Sequence, residues 1–206
     1  QKLYDKYVCP HLINYAMQMK PFRKQREKVI PSASGRVLEI GIGSGLNFNY
    51  YNKENVSEVF AVEPDRILLE KAQQNAKINN ITLNVQQLKA EELPFDNNSF
   101  DTIISTYTMC SIPGLSSAMS EINRVVKPSG KLLFSEHGKS PDMNVFKWQK
   151  RMNGIQKRIA GGCHLDVDIP NEIIKANFKL NKIDSMYVPG PKFLSYHYWG
   201  VASPLK

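Results

Sequence analysis

The pattern of apolar and polar residues changes about 35 residues into the chain. Over 3–30, apolar residues recur at partly helical spacing among basic residues, which predicts one or two helices broken near Pro10 and Pro21. After that point, short apolar runs alternate with longer segments of helical periodicity. We therefore predict an N-terminal helical cap or lid over 1–35 and a larger domain over 36–206.

Short apolar runs bounded by polar or glycine residues predict five buried strands in the larger domain. The runs are 36–40, 58–62, 81–88, 100–105 and 131–135. Segments with helical periodicity between them predict helices over 46–55, 64–79 and 116–126. Strands that alternate with helices indicate right-handed βαβ units and a mostly parallel sheet.

The C-terminal part of the chain breaks this alternation. Helices are expected over 143–160 and 171–176, and two strands over 178–188 and 193–202, joined through the Pro-Gly-Pro turn at 189–191. Such a turn permits an antiparallel hairpin. The predicted class is therefore α/β, with a doubly wound, mostly parallel seven-stranded sheet that ends in an antiparallel strand.

A glycine-rich loop, Gly41-Ile42-Gly43-Ser44-Gly45, follows the first predicted strand and opens a helix. Glycines there let the backbone approach a ligand, and the helix N-terminus offers unpaired amides. Glu63 ends the second strand 22 residues after Gly41, close to the spacing of about 20 at which a carboxylate reaches ribose hydroxyls. A tight turn, and a carboxylate that only stabilises a helix N-terminus, are the structural alternatives.

The carboxylate of Glu39 separates two classes of cofactor. It stands two residues before the loop, where it would repel a pyrophosphate and attract a sulfonium or an ammonium group. The loop also has the pattern G-x-G-x-G, not the G-x-G-x-x-G of dinucleotide sites. We therefore expect S-adenosylmethionine. A nicotinamide-dependent oxidoreductase and a non-catalytic S-adenosylmethionine-binding protein are the alternatives of other classes.

Three motifs resemble those of class I S-adenosylmethionine-dependent methyltransferases. VLEIGIGSG over 37–45 is similar to their first motif. AEELPF over 90–95 with NSFD over 98–101 resembles the type 11 group, which includes quinone-biosynthesis methyltransferases. RVVKPSGKL over 124–132 resembles the turn R-x-L-K-P-G-G-x-L of that group, with Ser129 in place of a glycine. The resemblance implies a Rossmann-like fold and a methyltransferase activity.

Further segments resemble the thiol S-methyltransferase family and its microbial relatives. They are GLNFNYY over 45–51, TYTMCSI over 106–112, FSEH over 134–137 and GCHL over 162–165. Glu63 departs from the pattern, because animal members of the family carry Asp there. The resemblance implies a small, apolar acceptor and favours thiol S-methylation, with a quinone or phospholipid methyltransferase as the alternative.

The resemblance also implies which residues surround the cofactor. Glu39 would face the methionine ammonium, Glu63 would hold the ribose hydroxyls, and Glu91 would lie near the adenine amine. The full set of expected cofactor-binding residues is Glu39, Gly41, Gly43, Ser44, Gly45, Asn47, Glu63, Pro64, Ala90, Glu91, Ser105, Thr106 and Tyr107. The last three end the fourth strand, at the edge where open α/β sheets bind ligands.

Methyl transfer to a thiol needs little help with the proton, because an ordinary thiol has a pKa of about 8.5. The candidate catalytic residues are His137, at the end of the fifth strand, and His164, after a glycine pair; a structural histidine is the alternative for each. Three widely separated cysteines argue against a disulfide framework and a structural zinc site, so no metal is expected. Cys110 and Cys163 are typical of small buried hydrophobic residues.

The net charge of +8 is divided unevenly along the chain. Residues 1–36 and 137–206 each carry +6, whereas 37–136 carry −4. A basic protein often binds nucleic acid, but the acidic core and the absence of a recognition motif argue against it here.

Two basic segments with interleaved apolar residues, 20–28 and 147–158, are typical of peripheral membrane contact. A solvated basic face and a lid over the active site are the alternatives. No apolar stretch reaches the roughly 18 residues of a spanning helix, and the odd number of cysteines favours a reducing compartment. We expect a cytoplasmic protein, a monomer or weak dimer, that acts on a small molecule.

Overall fold

The computed structural model describes residues 2–206, so Gln1 of the predicted cap lies outside the described residues. Its seven strands form one sheet in the order β3-β2-β1-β4-β5-β7-β6. The strands are β1 Gly35–Ile40, β2 Val56–Val62, β3 Leu83–Gln86, β4 Phe100–Thr106, β5 Val126–His137, β6 Phe178–Tyr187 and β7 Tyr196–Pro204. The first five are parallel, and β7 runs antiparallel to both β5 and β6. This confirms the predicted α/β class and its mixed sheet.

Seven α-helices accompany the sheet in the described part of the chain. They are α1 Lys2–Tyr7, α2 Cys9–Met17, α3 Lys20–Val29, α4 Arg66–Ile78, α5 Leu115–Val125, α6 Met143–Ile159 and α7 Ile169–Lys175. None of the helices in residues 2–206 is both long and apolar enough to cross a membrane.

Two predictions about helices were wrong. The helical breaks lie near Pro10 and Pro21, as predicted, but they leave three helices instead of one or two. Each proline lies in the first turn of the helix after its break, where proline fits. The helix predicted over 46–55 is only a short 3-10 turn, Phe48–Tyr50. There the chain leaves the helical path at Tyr51, which has a ψ of 133°.

Apolar layers cover both faces of the sheet, as a parallel sheet requires. Residues of α5 and α7 pack on one face, around Leu38 and Phe100. Residues of α4 and the end of α3 pack on the other face, around Val37 and Ile104. The carboxyl ends of β1, β2 and β4 meet at one edge, where β1 has β2 on one side and β4 on the other. Open α/β sheets bind ligands at such a point.

The cap lies over this ligand-binding edge. Tyr4 Oη of α1 donates a hydrogen bond to the carbonyl of Ile159 at the end of α6 (2.7 Å). Asn14 of α2 accepts a hydrogen bond from the hydroxyl of Ser44 in the glycine loop. Helices α1 and α2 therefore contact the end of α6 and the loop after β1. The division into 1–35 and 36–206 stays a prediction.

Candidate functional site

A cavity of about 400 Å³ opens at the carboxyl ends of β1, β2 and β4. Ten of the thirteen predicted cofactor residues line it, namely Gly41, Gly43, Ser44, Asn47, Glu63, Pro64, Ala90, Glu91, Thr106 and Tyr107. Glu39, Gly45 and Ser105 do not line it. The fold therefore gathers most of the predicted set around one space.

Backbone conformation explains the glycines of the loop. Gly41 and Gly43 have φ of 63° and 57°, in the left-handed region that favours glycine. A Cβ at Gly41 would collide with the side chain of Thr108, whereas a Cβ at Gly43 would meet only open space. The side chain of Thr108 thus packs against the loop at Gly41, and the open space at Gly43 leaves room for a ligand.

Glu63 ends β2 with its carboxylate held in place by two backbone amides. Glu63 Oε2 accepts from the Gly43 amide (2.8 Å) and Oε1 from the Asp65 amide (2.9 Å). Burial raises the pKa of this carboxyl, and the two amides oppose that rise. A carboxylate offers about four acceptor positions, so two remain for the hydroxyls of a ligand.

The buried side chain of Glu39 lies behind the residues that line the cavity. Its carboxylate accepts hydrogen bonds from Asn47 Nδ2 and Tyr51 Oη, each at 2.7 Å, and burial raises its pKa to about 7. Asn47 Nδ2 also donates to Thr106 Oγ1 (3.0 Å). Asn47 Oδ1 is buried and has no hydrogen-bond partner in residues 2–206, and the contact with Glu39 orients this side chain.

Sequence reasoning missed Arg26, a buried cation that lines the cavity. It is 4% exposed, and its Nη1 donates to the Met17 carbonyl (2.9 Å). The guanidinium lies 5.4 Å from the centre of the Tyr107 ring, and Nε has no partner in the described chain. Burial lowers the pKa of Arg26. Its placement four residues after Phe22, on the face of α3 that packs inward, was the available signal.

The comparisons with known proteins agree with this geometry. Residues 38–134 match a family model described as a methyltransferase domain. Residues 38–134 carry a methyltransferase domain. The protein named YcgJ from Bacillus subtilis has the same fold, with a TM-score of 0.69, 16% identity and coverage of 95% of this chain and 99% of that one.

Two curated relatives of this methyltransferase domain differ in their named activities. Rat thiol S-methyltransferase TMT1B is 29% identical over 69% of this chain and 59% of its own length. The ubiquinone/menaquinone biosynthesis C-methyltransferase UbiE of Rickettsia bellii is 31% identical over 66% of this chain and 57% of its own length. The chain thus spans somewhat under three-fifths of either relative.

The two predicted catalytic histidines of the methyltransferase domain lie outside the cavity. His137 is buried, with Nε2 at 3.2 Å from Cys163 Sγ. His164 is half-buried, and its backbone amide donates to the Cys110 carbonyl (2.8 Å). Neither imidazole lines the space in which a methyl acceptor would sit, so a direct catalytic role for either stays a prediction.

Glu136 of β5 is a buried carboxyl group, and we expect its proton to make the free energy of unfolding depend on pH. Its Oε1 accepts from Ser105 Oγ (2.7 Å) and from the Thr108 amide (3.1 Å). Its Oε2 has no partner among residues 2–206. Burial raises its pKa from an ordinary value of 4.5 to about 7, so the folded protein holds this proton more tightly than the unfolded chain.

We expect Glu136→Gln to remove part of this pH dependence. In the unaltered protein, the stability that this group contributes is complete below pH 4.5 and is lost as pH rises towards 7. A difference of that size corresponds to about 3 kcal/mol. Urea unfolding should therefore show similar free energies for both proteins at pH 5 and a more stable variant at pH 8.

The exposed Glu92→Gln is the control, and it should leave the pH dependence unchanged. An equal difference in stability between Glu136→Gln and the unaltered protein at both pH values would contradict the expectation.

Proposed function

We propose that this protein transfers a methyl group from S-adenosylmethionine to the sulfur of a small apolar thiol. The observation that carries the proposal is the composition of the cavity. One side presents the glycine loop and Glu63, which suit the cofactor, and the other is covered by Pro10, Ile13 and Met17 of α2. An apolar cover next to a cofactor site suits an apolar acceptor.

Each polar part of the cofactor finds a complementary group in the cavity. Two free acceptor positions of Glu63 suit the ribose hydroxyls, and the free Oδ1 of Asn47 suits the methionine ammonium. The buried guanidinium of Arg26 suits the methionine carboxylate. Glu91, whose Oε1 accepts from the Gly114 amide (3.2 Å), borders the adenine side together with Ala90.

The bound cofactor supplies an electrophilic methyl group on a positively charged sulfur. The chain aligns the acceptor sulfur with that methyl group and excludes water through the cover of α2. A carbon–sulfur bond to the acceptor forms as the sulfonium–methyl bond breaks, and the thiol proton leaves for solvent. A thiol suits a cavity that no histidine of residues 2–206 lines, because thiols ionise appreciably near neutral pH without a strong base.

A quinone or phospholipid acceptor is the nearest rival. It is supported by the name of the UbiE relative, whereas the thiol acceptor is supported by the name of the TMT1B relative. A cofactor-binding protein without catalysis and a nicotinamide-dependent enzyme are the rivals of other classes. The orienting contact of Glu39 on Asn47 favours a cationic ligand over a dinucleotide.

An acceptor screen tests the proposal. We expect release of S-adenosylhomocysteine with alkyl thiols, with kcat/KM rising as the alkyl chain lengthens and as pH rises towards the thiol pKa. Quinols and amino-lipids serve as the competing acceptors. Turnover with either of those classes and none with thiols would overturn the choice of acceptor, and tight binding of NAD in calorimetry would overturn the cofactor.

We also propose that one exposed surface of the protein contacts anionic membranes. Trp148, Ile155 and Ile159 lie on one face of α6, and each is more than half exposed. Leu12 and Tyr15 of α2 are exposed as well, and the hydrogen bond from Cys9 Sγ of α2 to the Ile159 carbonyl (3.6 Å) brings α2 close to the end of α6. Of the two predicted basic segments, 147–158 therefore presents the apolar face that membrane contact needs.

The other basic segment, 20–28, presents a different surface. It turns Gln25 and Arg26 inward, and leaves Lys20, Arg23 and Lys24 exposed. A cytoplasmic location and a monomeric or weakly dimeric state stay predictions.

Co-sedimentation with vesicles tests the membrane contact. The unaltered protein should bind phosphatidylserine-containing vesicles in a salt-sensitive way and phosphatidylcholine vesicles weakly. Trp148→Ser should reduce the bound fraction, whereas Ile174→Ser, at an exposed position of α7, is the control and should not. Equal binding of the two variants, or no salt-sensitive binding at all, would end this proposal.

A further inference from the structure

Three metal-ligating side chains that the cofactor site does not use converge behind the cavity wall. Cys110 follows β4, His137 ends β5, and Cys163 follows α6. All three are buried, and their sulfur and nitrogen atoms lie within 4.8 Å of one another. We propose that these three side chains form a binding site for Zn²⁺.

The spacing of the ligand atoms is close to that of tetrahedral zinc. Zinc–sulfur bonds of about 2.3 Å and zinc–nitrogen bonds of about 2.0–2.1 Å place a sulfur and a nitrogen about 3.6 Å apart, and two sulfurs about 3.8 Å apart. Cys163 Sγ lies 3.2 Å from His137 Nε2, so this pair needs to separate by only a few tenths of an ångström, and all three ligand atoms lie within 4.8 Å of one another. Two thiolates and one imidazole are a ligand set that zinc prefers.

A polar side chain lies beside each of the two sulfurs. Gln156 Nε2 donates towards Cys163 Sγ (3.9 Å), and Ser111 Oγ lies 3.6 Å from Cys110 Sγ. Hydrogen-bond donors around thiolate ligands stabilise their negative charge and orient them. Two thiolates would also balance the two positive charges of the ion, so the buried site would carry no net charge.

The cluster departs from the expectation of no metal, and topology is the reason. Its members are separated by 27 and 26 residues, far from the short spacings of recognisable zinc motifs. The ends of β4 and β5 are neighbours in the sheet, which brings Cys110 close to His137. The chain after α6 then returns past them, and the backbone bond from His164 to the Cys110 carbonyl fixes Cys163 beside both.

Three protein ligands leave one tetrahedral position open, as in catalytic zinc sites and unlike closed structural ones. Ser111 touches Cys110 and also lines the cavity, so the site lies one side chain from the acceptor space.

Metal content tests the site without any assay of activity. The full chain, reduced, incubated with zinc and desalted, should retain about one zinc ion per chain. Cys110→Ser and Cys163→Ser should each weaken zinc binding by more than about 100-fold in competition with a chelator, since even outer contacts contribute about 10–100-fold. Cys9→Ser, at the third free and buried cysteine, is the matched control and should keep the zinc.

Cobalt substitution in the unaltered chain keeps the proposal testable if the serine variants fail to fold. Bound Co²⁺ should show thiolate-to-cobalt charge-transfer absorption, and His11→Ala, at an exposed histidine, should leave it unchanged. A reduced chain that holds neither zinc nor cobalt would overturn the site. So would folded serine variants that bind zinc as tightly as the unaltered protein, or a Cys110–Cys163 disulfide that forms in the presence of zinc.

Parallel measurements of metal content and of thiol methylation separate the metal site from the proposed function. Zinc binding without methylation of thiols would leave the site standing and refute the acceptor. Methylation of thiols by a chain that binds no metal would leave the function standing and refute the site.

Discussion

Glu63→Gln should raise the dissociation constant for S-adenosylmethionine about 10- to 100-fold, which corresponds to about 1.4–2.8 kcal/mol. In the unaltered protein both carboxylate oxygens accept backbone amides, from Gly43 and Asp65. Glutamine has only one oxygen, so its amide nitrogen would face one of these N–H donors. The variant would therefore lose charge-assisted bonds to the ribose and disturb the glycine loop at once.

Calorimetry measures this effect, with two matched variants beside it. Glu58→Gln lies on the same strand, where its partly exposed side chain pairs with Arg36, and it should bind the cofactor normally. Glu63→Asp keeps the charge with a shorter reach and should fall between the two. An unchanged dissociation constant for Glu63→Gln would remove this residue from the cofactor site.

Arg26→Met should weaken binding of S-adenosylmethionine by at least about 30-fold, because loss of one partner from a buried ion pair costs about 2–5 kcal/mol. The guanidinium lines the cavity, and no salt bridge within residues 2–206 is seen for it. Its hydrogen bond to the Met17 carbonyl leaves donors free. The methionine carboxylate is the group that these donors suit.

A cofactor analogue without the carboxylate separates binding from a purely structural role. The unaltered protein should prefer S-adenosylmethionine to the decarboxylated analogue, whereas Arg26→Met should bind both with similar affinity. Arg23→Met, on the exposed face of the same helix, is the control and should keep the preference. If Arg26→Met also keeps it, Arg26 does not contact the carboxylate.

Local patterns in the sequence predicted part of the set that lines the cavity. A glycine pattern after a buried run, and a carboxylate 22 residues later, report on backbone geometry that lies within one βαβ unit. Six of the ten predicted residues that line the cavity belong to this unit, whereas Ala90, Glu91, Thr106 and Tyr107 come from later segments of the chain. Glu39 does not line the cavity, because its carboxylate accepts hydrogen bonds from Asn47 and Tyr51.

The helix predicted over 46–55 shows where local periodicity was insufficient. Asn47 and Tyr51 have the spacing of four that suits a helix face, yet both turn inward to one buried carboxylate. The hydrogen bonds to Glu39 outweigh a helical preference that is weak for such a short segment.

The sequence by itself therefore determined the class of fold, the cofactor loop and the acidic residue that ends β2, since each depends on residues close together in the chain. Only the tertiary structure decided the rest. Arg26 belongs to a basic segment, and the packing of that segment directs its side chain into the cavity. The tertiary structure also brings Cys110, His137 and Cys163 together. Such contacts join elements far apart in sequence, and the packing of α3 and the order of strands β4 and β5 in the sheet create them.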